Sequence, residues 1–307
     1  MATQLSTPAS HSQSGLGRFL MVAFGFTWLC WTPGLILASC NNLLMPNFDT
    51  YHQLWITGFE GALHATLSAL FFLGVYGPLL GAYISIRFAG DRSGLRYWRQ
   101  QITYWRVTPS WYGMVLLLVL VIGGIPFVLF TVLGGLQASE YSLGWIAALF
   151  VIQILRSGLG EEPGWRGYML PILRVRYSGE RYIWVMGLIW SLWHLPIVIT
   201  QTLQAMADQS MLPIVLTLLT AVAGNIMALI GMSYLYVWVL NRTGSIWLLM
   251  VLHAASNVLV LWMISFLVLK QTAGFAVALM PWFWVILLQW RLGKTKFPGE
   301  PLTAIPR

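Results

Sequence analysis

Eight stretches of this chain stay apolar for about 20 residues or more, at roughly 18–40, 62–87, 112–136, 143–164, 182–201, 213–240, 245–269 and 272–291. As a helix, a run of about 20 apolar residues crosses about 30 Å of hydrocarbon. Eight of them in 307 residues leave little sequence from which to build a water-soluble core. Composition agrees: 58% of residues are hydrophobic and 8% charged, where soluble domains carry about a quarter charged. The runs are continuously apolar rather than alternating, which argues against a β-barrel. The expectation is an all-α polytopic membrane protein with about eight transmembrane helices.

The charges outside the runs carry a topology signal. Arg87, Arg92, Arg96, Arg99 and Arg106 follow the second run, Arg174, Arg176 and Arg181 the fourth, and Arg242 the sixth. Arg18 opens the first run, and Arg291, Lys294, Lys296 and Arg307 close the chain. The opposite connections hold Asp49, Glu60, Glu140 and Asp208 with one cation, Lys270. Fourteen basic residues on one side against one on the other predict cytoplasmic N and C termini. The net charge of +8 is therefore read as a topology signal that favours anionic lipid head groups, not as a nucleic-acid footprint.

Residues 1–17 are polar and rich in Ser and Thr, and read as a disordered cytoplasmic tail. Residues 18–291 read as the membrane helical domain and 292–307 as a basic cytoplasmic tail. A cleaved signal peptide is not expected, because the first run is too long and lacks a small-residue cleavage site. Cys30 and Cys40 are too few for a disulfide framework or a metal site.

Four charges do not fit this layout: Arg156, Glu161, Glu162 and Arg166, in "RSGLGEEPGWRGYML" at the end of the fourth run. At the bilayer centre each costs roughly 2.5–3.5 kcal/mol, together up to about 10 kcal/mol if unpaired. Glu162 and Arg166 stand four apart and pair across one turn if the helix continues. Glu161 points about 100° away and has no basic partner at that spacing. Pro163 removes a backbone donor and tends to kink or restart a helix. One reading of these four residues is a structural charge cluster with Arg166 reaching for the interface.

Other polar intrusions add to the cluster. "WSLWHLP" puts His194 about twelve residues, or about 18 Å, inside the fifth run, and Pro196 predicts a bend beside it. "LHAASN" puts His253 and Asn257 on one face of the seventh run. A carboxylate with a neutral imidazole can take a proton from water. A second imidazole and a carboxamide can bond the oxygen that becomes negative when that water attacks a carbonyl. These are the parts of a peptidase without a covalent nucleophile. Glu161, His194 and His253 are also a possible zinc ligand set, although no His-Glu-x-x-His spacing supports it. Ser157, Ser191 and Ser256 lack the surroundings of a nucleophile elbow, so a serine mechanism is the weaker reading.

In these motifs the chain resembles the CAAX prenyl endopeptidase and bacteriocin-processing family of integral membrane proteases, also called Abi or type II CAAX proteases. Glu-Glu-x-x-x-Arg, an aromatic residue four before a histidine, and His-x-x-x-Asn stand here as "EEPGWR", "WSLWH" and "HAASN" on separate runs. The resemblance covers roughly residues 70–265, a protease-like core. It implies an intramembrane endopeptidase in which Glu161 and His194 activate water and His253 with Asn257 forms the oxyanion hole. Glu162, Arg166 and Trp190 would support them. Arg156 departs from the family's pattern, and charge balance is the favoured explanation for it.

The resemblance leaves the substrate open. Eukaryotic members cleave the last three residues from prenylated proteins, and some bacterial ones are linked to bacteriocin self-immunity. The expected partners are a membrane-embedded or lipidated peptide or protein and the surrounding lipid, with no nucleic acid and no cofactor. Zinc is the alternative to a metal-free site. The expected location is a bacterial or archaeal cell membrane, with the site toward the cytosolic half. The competing reading is a non-catalytic membrane protein, an immunity or scaffold factor or a transporter, using the same polar cluster. No inverted repeat supports a transporter.

Overall fold

A computed structural model of the chain describes residues 13–44, 50–293 and 296–300. Among the described residues the only β-type pairing is an isolated bridge between Leu136 and Leu267, and the rest is helix and short connections. Six helices cross alone: α1 (Gln13–Cys40), α6 (Pro109–Gly134), α7 (Leu143–Arg176), α10 (Met211–Thr243), α11 (Ile246–Ser265) and α12 (Lys270–Leu292). Two bent pairs are apolar enough to make up to eight, each a broken span or a re-entrant loop: α3 (Gly61–Gly74) with α4 (Gly77–Phe88) at 51°, and α8 (Arg181–Trp193) with α9 (Leu195–Ala205) at 52°. Two short helices, α2 (Tyr51–Thr57) and α5 (Arg92–Thr103), lie between crossings. All eight apolar runs become helix, and the chain is an integral membrane protein. Its outward residues form an apolar belt, with Val132 81% exposed and Leu29 76%.

Two boundaries differ from expectation. The first helix starts at Gln13, so residues 13–17 are helical rather than tail; residues 1–12 lie outside the described residues. The fourth crossing continues to Arg176 instead of ending near 164, and it runs through Pro163 as one span. Two π-helical turns, Ile154–Gly158 and Trp165–Met169, flank the proline and absorb the change in backbone bonding. The described part of the expected C-terminal tail is packed rather than free. Phe297 is fully buried beside Tyr234 and Trp238, and the Asn241 amide donates to the Pro298 and Gly299 carbonyls.

Close packing around α7 positions the site. A Cβ at Gly164 would stand 2.4 Å from the Pro78 carbonyl oxygen, and one at Gly160 2.8 Å from the Val75 carbonyl oxygen. These glycines let α7 touch the backbone of the α3–α4 bend, as small residues do between membrane helices. On the next face Gly158 lies against Met250 of α11. α5 closes the end of this packing: Trp98 is buried and its indole donates to the Pro163 carbonyl at 2.9 Å. Arg92, Arg96 and Arg99 occupy the exposed face of the same helix.

Candidate active site

As neighbours in the α-helical turn Leu159–Gly164 between the two π turns, Glu161 and Glu162 point about 100° apart and lie on different sides of α7. Glu162 is fully buried and lies behind the cavity wall. Its Oε1 accepts from Arg166 Nη1 at 3.2 Å and from His253 Nδ1 at 2.7 Å. The expected pairing of Glu162 with Arg166 is present; the bond to His253 is an addition that the spacing of the motifs did not suggest. Arg166 is 1% exposed, stacks over the Trp190 ring at 4.0 Å and the Tyr236 ring at 4.5 Å, and reaches Ser233 Oγ at 3.4 Å. Such cation–π contacts share the guanidinium charge with the two rings where no water solvates it.

Glu161 faces the cavity. Its partners come from other helices rather than from a basic residue at helical spacing: its Oε2 accepts from Trp190 Nε1 at 2.8 Å, and its Oε1 is 3.9 Å from His253 Nε2. Spacing along one helix addresses only partners on that helix, and an indole N–H on another helix is a donor of the same geometric worth. Trp190 thus links the motifs. It holds Glu161, covers Arg166, and its ring lies 5.9 Å from His194 and 5.8 Å from His253 between centroids.

His194 stands at the bend between α8 and α9, where Pro196 removes a backbone donor as expected. Its Nδ1 is 3.0 Å from the Trp190 carbonyl oxygen. A carbonyl only accepts, so Nδ1 carries the proton and Nε2 the lone pair. Asn225 of α10 fixes the bend by donating to Ser191 Oγ at 2.7 Å and to the Ser191 carbonyl at 3.3 Å. The same reasoning applies to His253, whose Nδ1 faces a carboxylate oxygen.

Glu161, His194, His253 and Asn257 all line one cavity of about 370 Å³, as do Arg156, Ser157, Trp190, Asn225, Tyr236 and Ser256. Gln201 adds one further polar side chain, and the rest of the wall is apolar, including Phe71, Val198, Leu229 and Met232. Arg156 is 4% exposed and packs between Phe71 and Phe72, 5.5 Å from each ring centre. Sequence reasoning did not find Tyr236, Asn225 or Ser233. Asn225 was a polar residue in an apolar run and offered a signal; Tyr236 was one aromatic among many.

Zinc would need Glu161, His194 and His253 brought together as ligands. Among the described residues no group of three or more His, Cys, Asp or Glu side chains is arranged to hold a metal ion. The Nδ1 atoms of both histidines and Glu161 Oε2 have protein partners, which leaves Nε2 of each ring and Glu161 Oε1 toward the cavity.

Residues 143–259 match a family model described as type II CAAX prenyl endopeptidase Rce1-like. Among curated proteins the chain is similar to CAAX prenyl protease 2 of Methanococcus maripaludis, 37% identical over 59 residues. That stretch is 19% of this chain and 21% of the relative, so it spans about a fifth of the relative's length. The family match covers the two glutamates, Arg166, Trp190, both cavity histidines and Asn257.

Proposed function

We infer that this chain is an intramembrane endopeptidase using activated water, a reading supported by the match of residues 143–259 to the Rce1-like type II CAAX prenyl endopeptidase model. The observation that carries the reading is the meeting of Glu161, His194, His253 and Asn257, from separate crossings, in one cavity. Water held by Glu161 and His194 gives up a proton as its oxygen bonds the peptide carbonyl carbon, and the carbonyl π pair moves to oxygen. The resulting oxyanion is met by Asn257 and by His253 in its protonated form, whose positive charge Glu162 balances. The C–N bond then breaks, and the proton returns to the departing amine. Nothing is oxidised or reduced, and no cofactor is consumed.

The substrate in this reading is a membrane-embedded or lipidated peptide, entering a largely apolar cavity in the cytosolic half of a bacterial or archaeal cell membrane. The test is cleavage by purified protein in liposomes, given a pool of synthetic apolar peptides with and without acyl or prenyl groups. Mass spectrometry should find new termini with the natural protein and none with Glu161→Gln. Identical products, or none, from both proteins would favour the non-catalytic reading.

A further inference from the structure

The hydrogen bonds of the two histidines leave the site short of donors. His194 Nδ1 is committed to the Trp190 carbonyl and His253 Nδ1 to Glu162. When neutral, both rings therefore present a lone pair at Nε2, which cannot donate to an oxyanion. His253 serves only as the imidazolium, and Asn257 supplies one carboxamide. A donor that needs no protonation event would complete the hole.

We propose that the hydroxyl of Tyr236 is that donor, a role that rests on the peptidase reading above. Tyr236 is 1% exposed and lines the cavity. On α10 the cavity residues Asn225, Leu229, Met232 and Tyr236 recur at helical spacing, and Tyr236 brings the one hydroxyl among these four. Its ring is fixed by Arg166 at 4.5 Å, by Trp190 at 5.7 Å between centroids, and by His253 at 6.1 Å. Its hydroxyl neighbour is Ser256, in the turn between His253 and Asn257. Ser256 Oγ is buried beside it, and the two hydroxyls face each other at the cavity wall without a carboxylate or carbonyl between them.

Other tyrosines here have fixed partners: Tyr234 donates to Glu180 at 2.6 Å, Tyr76 to the Leu155 carbonyl and Tyr112 to the Trp105 carbonyl. No such bond to a carboxylate or a backbone carbonyl holds Tyr236 among the described residues. Phenylalanine would fill the same space and carry the same guanidinium. The oxygen meets another rotatable hydroxyl, that of Ser256, rather than a carboxylate or carbonyl, so its proton is able to turn to a developing oxyanion. No proton is transferred in this role. The O–H bond strengthens as charge develops on the carbonyl oxygen and relaxes when the amine leaves.

Tyr236→Phe separates the role from packing. In the peptide assay, turnover should fall by about a hundredfold with KM and melting temperature nearly unchanged, the scale of one oxyanion donor. A second readout needs no turnover: thermal stabilisation by N-lauroyl-leucyl phosphonamidate, a tetrahedral anion on an apolar tail. It should stabilise the natural protein and Glu161→Gln, and lose at least tenfold in apparent affinity with Tyr236→Phe. Peptides cleaved equally by natural and Tyr236→Phe protein would overturn the proposal and leave the peptidase reading standing. Tyr236-dependent anion binding without any cleavage would overturn the peptidase reading and leave a Tyr236 anion subsite. A melting temperature lowered together with a raised KM would make Tyr236 a packing residue and overturn the proposal.

Discussion

Glu161 and Glu162 are chemically identical and adjacent, yet they meet different neighbours. Glu162 is enclosed by Arg166 and His253 and does not line the cavity that holds the histidines, whereas Glu161 stands on its wall under Trp190. Glu161→Gln should therefore give a folded, inactive protein, with a melting temperature near the natural one. Glu162→Gln leaves Arg166 buried without its carboxylate, at a cost of about 3–5 kcal/mol. It should also impair turnover, because it releases His253. Replacing Glu162 and Arg166 together should cost less stability than the two single losses summed, which a double-mutant cycle of melting curves would read. Asn257→Ala should lower turnover by about a hundredfold with little change in KM. The identity of these residues was legible in the sequence, from charges in apolar runs and from motif resemblance. Of their partners, the Glu162–Arg166 pair on one helix was legible and the others were not: Trp190 and His253 reach the glutamates from other helices, and spacing along one helix carries no information on contacts between helices.

Among the elements, the α8–α9 bend sets where His194 points. The break follows from Pro196 and was expected from it. The clamp that holds the bend in one orientation is Asn225 on α10, 34 residues away from Ser191. Asn225→Ala should leave the bend in place but loosen it, costing about 1 kcal/mol of stability. Turnover should fall by roughly tenfold to a hundredfold through misplacement of His194, and Asn225→Asp, which can still accept but not donate there, should not restore it. A normal rate in Asn225→Ala would show that the proline alone fixes the ring. α7 illustrates the opposite error. The proline rule suggested a break at Pro163, but π turns on either side carry the helix through it. The rule weighs one lost hydrogen bond and cannot see the packing on α4, α5 and α11 that favours continuity.

At the scale of the whole molecule, contacts gather the arginine-rich segments at one end of the bundle. Arg174 bonds Asn241, Arg242 bonds the Lys296 carbonyl, Ser245 bonds the Tyr104 carbonyl, and Arg18 stacks on Phe88. The opposite end joins Gln204 to Ser39 and Gln137 to the Phe266 carbonyl. The sequence thus foretold which connections lie together, because charge asymmetry is a property of loops and survives ignorance of packing. The predicted orientation places the arginine end in the cytoplasm. With Cys30 and Cys40 replaced, single cysteines at Ser93 and Gln53 should label from opposite sides of intact cells. Labelling of both from one side would overturn the orientation. Metal dependence is also checked on the whole protein: activity should survive chelation, with zinc bound well below one ion per chain. Stoichiometric zinc, removed together with activity and restored with it, would reverse that expectation.

The glycines around the paired glutamates have a consequence for reading mutational profiles. Gly158, Gly160 and Gly164 each face a neighbouring helix backbone at 3.0 Å or less from where a Cβ would sit. In a saturation screen scored by activity these three positions should tolerate alanine as poorly as the chemistry-bearing positions tolerate anything. None of the three can accept or donate a proton with a side chain. Intolerance along this stretch would then map the tightness of helix contact as much as the reaction. Only a parallel score for protein abundance would tell the two apart, with the glycine variants depleted in both and Glu161→Gln depleted in activity alone.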